Sequence, residues 1–133
     1  KENRDSQNYI LFRGHRNFVI LNTYPYNPGH LMVAPYRHLA NLEELTDEEL
    51  FEHFDLVRRS TKALTEAYKP DGFNIGINLG KVAGAGVEGH VHTHVVPRWG
   101  GDTNFRSFCR HRYRLPQALD ATYAKLTEKM ATK

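Results

Sequence analysis

The sequence predicts an α+β domain, with helices covering one face of a mainly antiparallel sheet. Three observations carry this expectation. Five short runs rich in β-branched and aromatic residues are separated by turn signals. A long amphipathic helix lies between the third and fourth runs. A shorter helix closes the chain. With 133 residues the chain suits one domain, residues 1–133, with room for one hydrophobic core.

Taken in order, Tyr9-Ile10-Leu11-Phe12-Arg13 and Phe18-Val19-Ile20-Leu21-Asn22 flank Gly14-His15-Arg16-Asn17 and read as a hairpin. Tyr24 to His30 contains Pro25, Pro28 and Gly29 and should be a rigid turning loop before a third strand, Leu31 to Ala34, stopped by Pro35. Leu39 to Leu45 suits a short helical turn. Thr46 and Glu49 have the spacing of a capping box and should start the long helix. Leu50, Phe54, Val57, Thr61, Leu64 and Tyr68 step by threes and fours as its inward stripe, and Phe51 is expected in the core with Phe54. Pro70-Asp71-Gly72 ends it, and Phe73 to Asn78 is the fourth strand. His90 to Val96 is the fifth. Pro116 opens the last helix, with Leu119, Tyr123, Leu126 and Met130 on one side.

Composition excludes more than it selects. Hydrophobic residues are 40% and charged residues 25%, the balance of a folded globular protein rather than a disordered one. No apolar run approaches the ~20 residues of a membrane helix, so no membrane partner is expected. The charged start Lys1-Glu2-Asn3-Arg4-Asp5 does not resemble a signal peptide and lacks a methionine, which suggests residues upstream. One cysteine, Cys109, cannot form an internal disulfide and fits a reducing, cytoplasmic compartment. The net charge of +3 suits phosphate ligands as well as plain solubility.

Chemistry concentrates in His90-Val91-His92-Thr93-His94-Val95-Val96. On a strand, alternate side chains share a face, so His90, His92 and His94 would stand together, with Val91, Thr93 and Val95 behind them. Residues two apart on a strand lie ~6.6–6.8 Å apart, which makes one tetrahedral zinc bound by all three hard to build. Nucleophilic chemistry asks for less. An imidazole can attack phosphorus once an acceptor fixes the proton on its far nitrogen, and the middle residue, His92, has an imidazole on either side to help. Upstream, Gly84-Ala85-Gly86-Val87-Glu88-Gly89 spells a literal G-x-G-x-x-G. A strand follows it, not the helix a dinucleotide fingerprint needs, and Lys81-Val82 breaks a phosphate-loop motif. The loop reads instead as a backbone nest for an anion, or as a surface turn. Arg106, Arg110, Arg112 and Arg114 form a basic segment that suits a solvated face or a phosphate chain. No nucleic-acid motif accompanies them, and no nucleic-acid partner is expected.

The segment from His90 to Val96 resembles the histidine-triad (HIT) signature, His-φ-His-φ-His-φ-φ. The resemblance extends over nearly the whole chain through Asn22, Pro28-Gly29-His30-Leu31-Met32-Val33, the long helix and Phe73-Asn74-Ile75-Gly76-Ile77-Asn78. Val96-Pro97-Arg98-Trp99-Gly100-Gly101-Asp102 is most similar to the bacterial diadenosine tetraphosphate phosphorylase-type members, near the Fhit branch.

This resemblance implies a homodimer that joins two HIT-fold sheets. It implies hydrolysis or nucleotidyl transfer on dinucleoside polyphosphates such as diadenosine tetraphosphate. His92 would be the nucleophile toward the α-phosphate, forming a covalent nucleotidyl-histidine. His94 would contact the phosphate or bridging oxygen, and His90 would orient the centre. Asn22 would meet ribose or base. Asn78, Ala85, Gly86 and Val87 would bind phosphate, with Trp99 beside the nucleotide. Many relatives carry Gln, Ser or Thr in that loop, where this chain offers backbone alone. The resemblance requires no cofactor. In some members a zinc joins a Cys-x-x-Cys to histidines placed like His38 and His90. Two alternatives stay open at this point: a nucleotide- or zinc-binding module with little catalysis, and a Hint-like nucleoside phosphoramidate hydrolase.

Overall fold

In the computed structural model, residues 4–84, 89–102 and 116–131 are described. A short helix, α1 (Asp5–Asn8), precedes β1 (Ile10–Arg13), β2 (Asn17–Leu21) and β3 (Leu31–Pro35). The long helix α2 (Asp47–Tyr68) follows, then β4 (Gly72–Ile77), β5 (Thr93–Arg98) and α3 (Pro116–Ala131). Single 3₁₀ turns stand at Leu42–Glu44 and Lys81–Ala83. The strands form one antiparallel sheet in the order β1-β2-β3-β5-β4. Helix α2 lies across β2, β3 and β5, and α3 packs on α2 and β1. The α+β architecture read from the sequence is therefore the one observed, and α1 and the Lys81–Ala83 turn lacked a signal there.

Local chemistry sets these boundaries. Thr46 caps α2 by accepting from the Glu49 N–H, and Glu49 reciprocates to the Thr46 N–H. Lys69 ends the helix in a left-handed conformation. The core joins Leu11, Val19, Leu21, Leu31, Val33 and Val95 of the sheet to Leu56, Leu64, Leu126 and Met130 of the helices. Gly29 has φ +86°, and a Cβ there would sit 2.9 Å from the Leu64 side chain, so both backbone and space require glycine.

Two expectations need correction. The inward face of α2 is Glu49, His53, Leu56, Val57, Ser60, Ala63 and Leu64, turned from the expected stripe. Leu50 and Phe54 are exposed, and Phe51 is 74% exposed rather than core. The cause is that three polar residues are satisfied inside. Glu49 pairs with Arg37, His53 bonds Asn17 and Thr93, and Ser60 donates to the Leu56 carbonyl. Secondly, the fifth strand begins at Thr93, so of the three histidines only His94 lies within it. The β3–β5 pairing stops at Val33↔Thr93, and the Pro35 carbonyl is bonded by the His90 ring instead of a strand partner.

The buried polar face makes stability sensitive to acid. Burial lowers the His53 pKa from 6.5 to about 4. Below pH 6.5 the unfolded chain takes up this proton and the folded chain does not, so stability falls as pH drops from 6.5 to about 4. At ~1.4 kcal/mol per unit the loss is on the order of 3 kcal/mol. Glu49, held by Arg37 and by the Thr46 N–H, is lowered to about 2. Its contribution is complete above pH 4.5 and is lost as pH falls from there toward 2. The urea midpoint should therefore be clearly lower at pH 4.5 than at pH 7.5. Equal midpoints would refute the assignment.

Candidate active site

The histidines are held by hydrogen bonds whose direction can be read, because backbone groups have fixed roles. A carbonyl only accepts, so the His90 Nε2–H donates to the Pro35 oxygen at 2.9 Å, and the His92 Nδ1–H donates to the His90 oxygen at 2.9 Å. Neutral His92 therefore keeps its lone pair on Nε2. A backbone N–H only donates, so the Tyr26 N–H at 3.1 Å makes His30 Nδ1 an acceptor. The His30 proton then sits on Nε2 and is donated to His94 Nδ1 at 2.9 Å, which leaves the His94 proton on Nε2. The result is a bare nitrogen on His92 beside a ring, His94, with an N–H on its outward nitrogen. The two rings meet edge to face with centroids 4.8 Å apart.

Burial alternates along the segment as the sequence implies. Val91, Thr93 and Val95 are buried against the helices, while His90, His92 and His94 are half-buried on the other side. The lead-in before β5 is anchored by the Val91 N–H to the Leu39 carbonyl at 2.6 Å. His94 lines an open cleft of about 320 Å³ with Tyr26, Asn74, Gly76, Asn78 and Arg98. Asn78 thus shares this cleft with His94. Asn22 lies beside His30: its Nδ2 is 3.4 Å from His30 Nε2, and its Oδ1 accepts from the Tyr24 N–H. Trp99 stands past the far end of β5, five residues beyond His94 and roughly 17 Å along a strand. Ala85, Gly86 and Val87, like the arginine-rich segment, fall outside the described residues.

The sequence reading did not assign His30 a role. It is fully buried, stacks on Tyr26, and sets the His94 tautomer. Its signal was Pro28-Gly29-His30 directly before a strand, a polar residue where a buried one begins. Behind it lies a second unassigned group. Asp102 receives both Nε and Nη2 of Arg98, the Asn27 amide and the Trp99 N–H. These donors, Arg98 foremost, hold its carboxyl far below the usual range. Asn27 also bonds the Pro97 carbonyl, tying the Tyr26–His30 loop to the end of β5.

The HIT domain family model matches residues 3–101. The chain belongs to the HIT family. A Mycobacterium tuberculosis protein named AP-4-A phosphorylase is 42% identical over 127 residues, 96% of this chain and 65% of that protein. The chain thus spans about 65% of the length of that relative. A Dictyostelium discoideum bis(5'-adenosyl)-triphosphatase is 36% identical over 92 residues, covering 69% of this chain and 61% of that protein. Among solved structures, a zinc-bound HIT protein from Mycobacterium smegmatis superposes with TM-score 0.75 at 29% identity, covering 92% of this chain and 84% of that one. The five-stranded antiparallel sheet with its helices is the HIT fold of these neighbours.

Whether this HIT chain can hold zinc is a matter of donors. His38 and His90 face each other with their Nδ1 atoms 3.3 Å apart. Two nitrogens on one tetrahedral zinc, at bonds of ~2.0–2.1 Å, lie roughly that far apart. Among the described residues no cluster of three His, Cys, Asp or Glu exists. The pair fits half of a zinc shell.

Proposed function

We propose that the protein cleaves the α-phosphate linkage of dinucleoside polyphosphates such as diadenosine tetraphosphate, through a nucleotidyl intermediate on His92. The observation that carries this reading is the tautomer pair: a lone pair on His92 Nε2 next to an N–H on His94 Nε2. In the first step His92 Nε2 attacks the α-phosphorus. A P–N bond forms, the P–O bond to the remaining phosphate chain breaks, and the His94 N–H donates to the departing oxygen. The His92 ring then carries positive charge, which the His90 carbonyl opposite Nδ1 stabilises. In the second step water or inorganic phosphate attacks the same phosphorus and breaks the P–N bond, releasing a nucleotide. The M. tuberculosis relative's name, a phosphorylase, favours phosphate as acceptor.

On this reading Asn78 and the backbone of Ala85, Gly86 and Val87 hold phosphate oxygens, Asn22 faces the nucleoside, and Trp99 belongs to a more distant part of the nucleotide site. A zinc bound through His38 and His90 would draw its other ligands from outside the described residues. The chain acts as a homodimer. Support for this comes from the edge strand β4 with exposed Ile75, and from the exposed Leu50, Phe51 and Phe54 on α2. Sedimentation at micromolar concentration checks the dimer, and a monomer throughout would refute it. No helix among the described residues is long and apolar enough to cross a membrane. The single cysteine suits a cytoplasmic setting.

Diadenosine tetraphosphate labelled at the α-phosphorus, quenched with base during turnover, tests the intermediate. A base-stable, acid-labile label on the protein is expected. Repeated failure to trap it during measurable turnover would exclude covalent catalysis. Failure of turnover itself would leave a binding module. ADP plus ATP formed only with added phosphate identifies phosphorolysis, whereas ATP plus AMP identifies water.

A further inference from the structure

Behind the triad runs a second hydrogen-bonded line that the mechanism above does not use. His53, in α2, is 1% exposed. Its Nδ1 lies 2.9 Å from Asn17 Oδ1 and its Nε2 lies 2.6 Å from Thr93 Oγ1. The proton positions follow from the ends of the line. Asn17 Nδ2 donates to the Glu49 carbonyl at 3.1 Å and to Glu52 Oε1 at 3.0 Å, so Oδ1 is the atom turned to His53. The His53 proton is therefore on Nδ1, and the Thr93 hydroxyl donates to Nε2. Asn17 and Thr93 are both fully buried.

Thr93 is the residue between His92 and His94, and it is the first residue of β5. Its backbone is the last point where the strand pairs with both neighbours, Val33 on β3 and Ile77 on β4. The nucleophile stands just outside the ladder and the proton donor just inside it. The Thr93 side chain holds that junction from behind through its hydrogen bond to His53. Valine has the same shape and an equal preference for strands, and a leucine at 53 would bury apolar surface without desolvating three polar groups. Packing alone does not account for a histidine, an asparagine and a threonine here.

We infer that His53 is a positioning residue for nucleotidyl transfer, acting through the Thr93 hydroxyl to fix the spacing of His92 and His94. The inference rests on the reaction proposed above, since it is the geometry of that step that is positioned. A displacement on the order of 1 Å at reacting groups costs about a hundredfold in rate.

The test compares Thr93→Val, Thr93→Ser and His53→Leu in the full chain. Thr93→Val and His53→Leu should lower kcat by about 10- to 100-fold with KM changed less than about threefold. Thr93→Ser, which keeps the hydroxyl, should recover most of the rate. In ¹⁵N spectra the ring signals of His92 and His94 should move in Thr93→Val and return in Thr93→Ser. Rates that track only the folded fraction, equally in Val and Ser variants, would overturn the inference. Unchanged ring signals in a folded Thr93→Val protein would overturn it too. Should the wild-type chain turn over no dinucleotide, the proposed reaction fails, while the ring signals still decide whether His53 positions the triad.

Discussion

Replacing His92 by asparagine is expected to lower turnover of diadenosine tetraphosphate by at least about 10⁴-fold, the scale on which removing a nucleophile acts. Asparagine can still donate from its amide toward the His90 carbonyl, where the His92 Nδ1–H now donates at 2.9 Å, so the segment before β5 keeps its hold. What disappears is the lone pair on Nε2. The neighbouring lone pairs are turned elsewhere: that of His94 Nδ1 is engaged by His30, and that of His90 Nδ1 faces His38 at 3.3 Å. Substrate binding should change little, because the phosphate and nucleoside contacts proposed above use other residues. Equilibrium binding of a non-hydrolysable analogue by the variant, beside a turnover assay and the trapping experiment, separates chemistry from recognition. Turnover within tenfold of wild type would exclude His92 as the nucleophile. Loss of binding in parallel with turnover would mean that the substitution disturbs the site and that the rate says nothing about the nucleophile.

How far such a site is legible in a sequence depends on whether its partners are local. The histidine row was readable because period-two alternation declares which residues share a side, and burial of Val91, Thr93 and Val95 agrees. The helix start at Thr46 was readable because both halves of its cap lie three residues apart. The inward face of α2 was not, because hydropathy ranks Leu50 and Phe54 above Glu49 and His53. That ranking reverses only when the partners are known, and Arg37, Asn17 and Thr93 lie 12, 36 and 40 residues away. For the same reason His30 gave no clear sign of its role, since its importance lies in a bond to His94, 64 residues distant. The ladder ends at Thr93 because β3 pairs with β5 only as far as Val33 although the strand runs on to Pro35, which no local pattern in the histidine segment records.

His30 therefore carries the second large effect, and asparagine and glutamine dissect it. The His30 ring works at both nitrogens, accepting from the Tyr26 N–H through Nδ1 and donating to His94 through Nε2. Asparagine places its amide near the Nδ1 position and does not reach His94. Glutamine reaches further and can set an N–H donor near Nε2. His30→Asn removes the bond that places the His94 proton on its outward nitrogen, and kcat for diadenosine tetraphosphate should fall by about 10²-fold, the usual worth of a positioned proton donor. His30→Gln should lose clearly less. The deficit should also depend on the leaving group. With an adenylate ester of p-nitrophenol, whose departing oxygen needs no proton, His30→Asn should come within about tenfold of wild type. A deficit equal for both substrates would mean that His30 supports the fold of the Tyr26–His30 loop and not the proton on His94. Because His30 is fully buried, thermal melting of both variants is read alongside. Asparagine keeps an acceptor for the Tyr26 N–H and glutamine a donor for His94 Nδ1, so a faster His30→Gln at equal melting temperature shows that the bond to His94 matters more to the rate than the bond to Tyr26.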